Sequence, residues 1–239
     1  DEYINAYERF GHWKDNFVMV KGEAVRGFTL LYMQTWNSVA YKKGIDYTSY
    51  LESYPVESEG YVIPYGDGPY QKENVAKNVY LNILYQAKQY IYIMTPYLIL
   101  DHEMEQAITH AARSGVDVRI ILPYIPDKKT PYYIARTYYP KLIEKGIEIY
   151  EYTPGFMHAK QFVSDDEVAI VGTINLDFRS LYFHFECGVC LYRTSSILPL
   201  KEDFLKVLER CRPITEADCK ANLLVRLLRS ICRLIAPLM

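Results

Sequence analysis

From about residue 61 the chain alternates short apolar runs with longer amphipathic stretches, and this rhythm sets the expected fold class. YVIPY reads as a strand and GDGP as the turn after it. Residues 73–88 read as a helix with Val75, Val79, Ile83 and Leu84 on one side. QYIYIMTPYL is a strand that runs into a Pro-interrupted loop. Residues 102–114 form a helix closed by Gly115, where a left-handed cap is cheap. VDVRIILP is the next strand, residues 131–145 the next helix, and GIEIYEY another strand. A βαβαβ order predicts an α/β fold, a mixed and largely parallel sheet flanked by helices. Three further runs, 156–164, 168–174 and 183–192, read as strands, and 198–211 as a helix.

The front of the chain is less regular. Residues 16–21 read as a short strand. Residues 23–37 read as a helix whose stripe is Val25, Phe28, Leu31, Tyr32 and Met33, ending near Trp36. The Tyr-rich stretch 38–60 has no period and is expected to be a connecting loop. At the other end, residues 220–235 put Arg226, Arg229 and Arg233 on one helical stripe, with Leu and Ile elsewhere. Such a helix suits the headgroup plane of an anionic membrane. It equally suits a helix packed on the domain with its arginines in water.

With half of its 239 residues apolar, the chain can bury a sizeable core. A formal net charge of −2 argues against a dedicated nucleic-acid ligand. The 24 tyrosines fit core and sheet packing, or residence near a membrane interface. Five cysteines cannot all pair, and Cys187 and Cys190, three apart on a strand, point to opposite faces. Reduced thiols follow, as in a cytosolic compartment. No run approaches the ~20 apolar residues that span a bilayer. His12, His102, His110, His158 and His184 show no ligand grouping, so no metal and no cofactor are expected.

The chemistry concentrates in residues 158–177, HAKQFVSDDEVAIVGTINLD. Taken as a strand, MHAKQFVS places His158 and Lys160 on one face. The next strand delivers Thr173, Asn175 and Asp177 to one side, and Gly172 lets a ligand approach the backbone. An imidazole can attack phosphorus, while an ammonium and a carboxamide can hold the non-bridging oxygens. A lone strand histidine is usually structural and a lone lysine usually a surface charge. The joint spacing makes the pair a phosphate-site candidate.

HAKQFVSD, with Gly172-Thr173-Ile174-Asn175 after it, resembles the H-x-K-x-x-x-x-D and G-[ST]-x-N signatures of the phospholipase D superfamily. The resemblance implies catalytic roles for His158, Lys160, Asp165 and Glu186. His158, Lys160 and Asn175 would bind the substrate phosphate, Asp165 would hold the turn, and Glu186 would orient the imidazole as in a triad. Whether His158 is nucleophile or general acid/base stays open. His184, on the strand face of Glu186, is a candidate to line the cleft. FGHWKDNFVMVKGEAV, TPYLILD, GVDVRIILP, INLDFRSLYFHFE and RLIAPLM resemble one branch, the bacterial cardiolipin synthases.

That branch carries two such signatures, and this chain has one. The resemblance therefore implies a C-terminal half: residues 1–50 as the end of a first domain, 51–212 as the second catalytic domain, and 213–239 as a basic tail. It implies transfer of a phosphatidyl group between two phosphatidylglycerol molecules through a phosphohistidine. The missing N-terminal half and anionic lipid would be the partners, and the setting the cytoplasmic side of a bacterial membrane, with spanning helices upstream. Alone the chain would be inactive, unless a homodimer pairs two copies of His158. The competing functions are a phosphodiesterase acting on lipid or nucleic acid, and a non-catalytic membrane-binding module.

Overall fold

The computed structural model describes residues 1–6, 8–40, 46–220, 223–234 and 236–238. In chain order the elements are β1 (His12–Lys14), α1 (Val25–Val39), β2 (Tyr61–Asp67), α2 (Val75–Gln86), β3 (Tyr90–Met94), α3 (His102–Arg113) and β4 (Asp117–Pro123). Then come α4 (Lys129–Ala135), α5 (Tyr139–Glu144), β5 (Glu148–Tyr152), β6 (Gly155–Met157), β7 (Gln161–Ser164), β8 (Val168–Gly172) and α6 (Phe178–Tyr182). The chain continues with β9 (Glu186–Tyr192), α7 (Ile197–Leu208), β10 (Cys211–Pro213), α8 (Glu216–Cys219) and α9 (Leu223–Leu234).

Eight strands form one mixed sheet in the order β10-β5-β4-β3-β7-β8-β9-β2, flanked by helices. The βαβαβ rhythm is realised at β3, β4 and β5, which pair in parallel. The other pairings are antiparallel, so the sheet is not largely parallel throughout. Chain connectivity explains part of this: β8 follows β7 after a tight turn, without the long crossover that a parallel neighbour needs. Burial on both faces matches the strand sequences. Every residue of β3 is buried, and one apolar layer packs beneath α2 and α3 while another packs beneath α7. Tyrosine is found both in the core and on the surface. Tyr80 stacks on Phe162 at 4.2 Å, with its hydroxyl donating to the carbonyl of Ile174 at 2.8 Å, whereas Tyr32 and Tyr70 are exposed.

Several local expectations are corrected. The first strand is His12–Lys14, not 16–21, and it pairs with β6 in a separate two-stranded sheet. Residues 131–145 form two helices, because the chain turns at 136–138 and Pro140 starts the second. The run 183–192 is strand only from Glu186. The segment before it folds as α6, capped by Asp177, whose carboxylate accepts from the amide of Ser180 at 2.7 Å.

The antiparallel partners matter because they deliver chain ends to one edge. The carboxyl ends of β2, β3, β4 and β8 and the amino ends of β7 and β9 lie there together, with Asp67 opposite Glu186 and Met94 opposite Gln161. At the tail, the backbone of α9 is helical. Arg233, itself exposed, pairs with buried Glu105 at 3.2 Å and lies 4.4 Å over the ring of Tyr138. Leu227, Ile231 and Leu234 are exposed, while the side chains of Arg226 and Arg229 lie outside the described residues. Neither sequence expectation anticipated an arginine tied to a buried carboxylate while an apolar stripe faces outward. Among the described residues no helix is long and apolar enough to cross a membrane.

Candidate active site

His158 and Lys160 sit in the break between β6 and β7, where the chain leaves the small sheet and enters the large one. The amides of His158 and Ala159 both donate to the carbonyl of Lys14, at 2.7 and 3.1 Å, so β1 fixes this corner. Trp13 lies under the imidazole with ring centres 4.8 Å apart, and is itself packed on Phe156 at 4.6 Å.

The partner of the imidazole is not the expected one. His158 Nδ1 meets Asp15 Oδ2 at 2.6 Å. Burial pushes the Asp15 carboxyl up, but the hydrogen bond and charge of His158, with Lys160 nearby, hold it below its ordinary value. An ionised Asp15 keeps the proton on Nδ1 and leaves the Nε2 lone pair free, the form a nucleophile or base requires. Glu186, expected in that place, instead accepts from the hydroxyls of Thr173 and Ser180 and faces His184 Nδ1 at 3.6 Å. Burial pushes its carboxyl up, and the two hydroxyls offset this only in part. Asp15 was within the Trp13-Lys14-Asp15 run already visible in the sequence. Its role was hidden because its partner lies 143 residues away.

Lys160 is 6% exposed and its ammonium donates to the carbonyl of His158. Burial pushes it down to about 8, against the opposing charges of Asp15, Glu186, Asp177 and Asp127. Asn175 donates to the Ser180 hydroxyl at 3.0 Å, leaving its buried Oδ1 without a partner. Tyr97 and Asp127, bonded at 2.6 Å on loops after β3 and β4, add a polar pair near Lys160 that sequence reasoning did not single out. They stand at the carboxyl ends of parallel strands, where ligands bind in open α/β sheets.

Asp165 is not in this cluster. It sits beyond the far end of β7, about 13 Å of strand from Lys160. Its carboxylate accepts from the amides of Lys88, Gln89 and Tyr90 at 2.7–2.9 Å, which sets the entry to β3. The turn role expected for it is the one the geometry offers, with no contact to the phosphate site. Asp165→Ala is expected to lower stability by about 1–3 kcal/mol, since three amides lose a charged acceptor. Turnover per folded molecule should be unchanged; denaturant titration alongside an activity assay checks both.

Residues 80–208 match the family described as cardiolipin synthase, PLD-like domain. The chain belongs to that family. A protein of Streptococcus mutans, not characterised, is 50% identical over the whole chain, which covers 52% of that protein. Cardiolipin synthases of Geobacillus and of Halalkalibacterium halodurans are 38% and 37% identical, again over the whole chain and 48% of theirs. The chain thus spans about half the length of the curated relatives it matches. The fold is also that of a phosphatidylserine synthase from Haemophilus influenzae (TM-score 0.60, 15% identity, 74% of this chain and 47% of that one). Nuc, a phospholipase D family member from Salmonella typhimurium, gives TM-score 0.53 at 20% identity, covering 63% of this chain and 98% of that one. The family-model match starts after Asp15, whereas the full-length relatives align across it.

Proposed function

We propose that this chain supplies one half of a phosphatidyl-transfer site that forms cardiolipin from two phosphatidylglycerol molecules. The observation that carries it is the His158–Asp15 pair beside the buried ammonium of Lys160, in a chain of this family. In the reaction, an imidazole Nε2 forms a bond to phosphorus while the phosphorus–oxygen bond to the leaving glycerol breaks. The departing oxygen takes a proton from a second acid. The hydroxyl of another phosphatidylglycerol then attacks the phosphohistidine, giving up its proton to the same group. Lys160 and Asn175 hold the non-bridging oxygens throughout, where charge builds.

Two imidazoles are needed and this chain provides one. Glu186, uncommitted to His158, orients the second in this reading. The chain alone is therefore inactive in this reading, with the preceding half of the enzyme as its partner. The test is turnover of labelled phosphatidylglycerol by the chain alone, and by the chain joined to a preceding half. Robust turnover by the chain alone sinks the half-site. Release of phosphatidic acid instead of cardiolipin would mark a phosphodiesterase, and a consistently inert protein that still binds vesicles a membrane module. The exposed Leu227, Ile231 and Leu234 of α9 support attachment from the membrane surface.

Asp15→Asn is expected to lower turnover about 10²–10⁴-fold, the effect of losing the carboxylate that fixes a catalytic imidazole's tautomer. It should also erase the Nδ1 proton resonance of His158. Glu186→Gln should leave that resonance in place. If Glu186→Gln removes it and Asp15→Asn does not, the assignment of Asp15 is wrong.

A further inference from the structure

Tyr97 and Asp127 take no part in the transfer steps, yet the backbone sets both against the corner that holds Lys160. In the antiparallel pairing of β3 with β7, Met94 faces Gln161, and Thr95 and Lys160 are the next residues along the two strands. Thr95 is buried, and its hydroxyl donates to the carbonyl of Tyr97 at 2.9 Å. One residue further, Leu98 bridges Leu176, the neighbour of Asn175. Tyr97 therefore sits in the backbone span between the row of Lys160 and the row of Asn175. The loop after β4 is anchored to the same strip. The amides of Tyr124 and Ile125 both donate to the carbonyl of Gly155 at 3.2 Å, in the strand that leads to His158.

The chemistry of the pair is the reverse of what a phosphate asks for. Tyr97 donates its hydroxyl proton to Asp127 Oδ2 at 2.6 Å, and Asp127 Oδ1 accepts from the amide of Lys128 at 2.7 Å. Burial, reinforced by Asp127, pushes the Tyr97 hydroxyl well above its ordinary value, so it keeps that proton. With its one proton committed, the phenol oxygen can only accept, and each carboxylate oxygen keeps a lone pair. Both residues are half-buried, so a ligand can reach them. Their partner has to be a donor, either hydroxyl or ammonium. The ammonium of Lys160 already answers the charge of Asp127, so a second cation there would meet like charge, and a neutral hydroxyl would not. Acceptors on two groups 2.6 Å apart suit two neighbouring hydroxyls.

We propose that Tyr97 and Asp127 form the subsite for the free hydroxyls of the glycerol headgroup, selecting a polyol alcohol while Lys160 and Asn175 hold the phosphate. The inference rests on the phosphatidyl-transfer reading for the phosphate that the headgroup carries. It adds to that reading the determinant of which alcohol is bound.

The test titrates the 239-residue chain with three methyl phosphodiesters, whose second alcohols are glycerol, propanol and ethanolamine, followed by NMR shifts. The glycerol diester is expected to bind wild type about tenfold or more tighter than the propyl diester, since a site built around substrate hydroxyls rejects the analogue without them. Tyr97→Phe, which loses one acceptor and the donor that fixes Asp127, should bring that ratio below about threefold. Asp127→Ala should do the same, and should bind the propyl diester at least as tightly as wild type because a charge that repels phosphate is gone. If Asp127→Ala does not fold, Tyr97→Phe decides alone. Equal binding of the glycerol and propyl diesters, tighter binding of the ethanolamine diester, no binding of any, or a ratio unmoved by Tyr97→Phe overturns the proposal. The transfer reading is judged separately, by cardiolipin formation in the joined enzyme. There Tyr97→Phe should raise phosphatidic acid relative to cardiolipin about fivefold or more, as water replaces a poorly held alcohol, and an unchanged ratio counts against the subsite. A glycerol preference in an enzyme that turns over nothing would sink the transfer reading and leave the subsite standing.

Discussion

Replacing His158 by alanine is expected to lower phosphatidyl transfer by at least ~10³-fold in an enzyme carrying both halves of the site, because loss of a nucleophile or of its proton-transfer partner stops the sequence outright. The fold should barely notice. The imidazole is part exposed, and its structural contacts are one ring face over Trp13 and one bond to Asp15. An aromatic contact of this kind contributes about 0.5–1.5 kcal/mol. A chain of this size should therefore lose only a few degrees of melting temperature, on the order of 2–4 °C per kcal/mol. Thermal unfolding followed by circular dichroism, beside turnover of labelled phosphatidylglycerol, separates the two effects. Activity above a tenth of wild type would remove His158 from the mechanism.

Lys160→Met is expected to act in opposite directions on stability and function. The ammonium is buried and pushed down to about 8, so folding at neutral pH keeps a charge in a place that disfavours it. Methionine of similar length removes that cost, and the gain should be about 1–3 kcal/mol near pH 7. The wild-type chain has a pH signature. Between about 8 and 10.5 the unfolded chain holds a proton on this lysine that the folded chain has released. Wild-type stability should therefore rise with pH across that window, and the Met variant should lack this component. Function runs the other way. A neutral amine is a poor phosphate ligand, so wild-type turnover should fall above about pH 8. Inorganic phosphate should stabilise wild type and not the variant, as a ligand that binds only the folded site does. A variant that is less stable, or that still gains from phosphate, would show that Lys160 is a packing residue.

The elements that could be read from the sequence are those whose signals are local. Helix α3 starts at Asp101, which accepts from the amide of Met104 at 2.7 Å, and ends before Gly115 with φ +89°. Both caps are visible as letters in the chain. Strands β3, β4 and β5 are apolar runs set apart by helical stretches, so their parallel pairing follows from connection length. The break at His158 was not legible. MHAKQFVS contains no Gly or Pro to mark a break, yet its first part pairs with β1 and its last with β3 and β8. Only the partners, far off in sequence, reveal the corner. Helix α6 was lost in a run of aromatic and branched residues that also reads as strand, although Asp177 and Ser180 carried a capping signal. The same reasoning separates the site residues. His158, Lys160 and Asn175 lie within one short stretch, and spacing was enough to group them. Asp15 depends on a pairing that spacing does not encode.

That dependence fixes where the protein can be cut. A gene fragment trimmed to the span of the family model, residues 80–208, would retain the histidine and discard the carboxylate that steers it. It would also discard the short parallel ribbon that brings the two together. Trimming at residue 12 keeps the ribbon and trimming at residue 16 loses it, so excision, circular permutation or domain grafting in this family has a threshold a few residues wide, far upstream of the motif it protects.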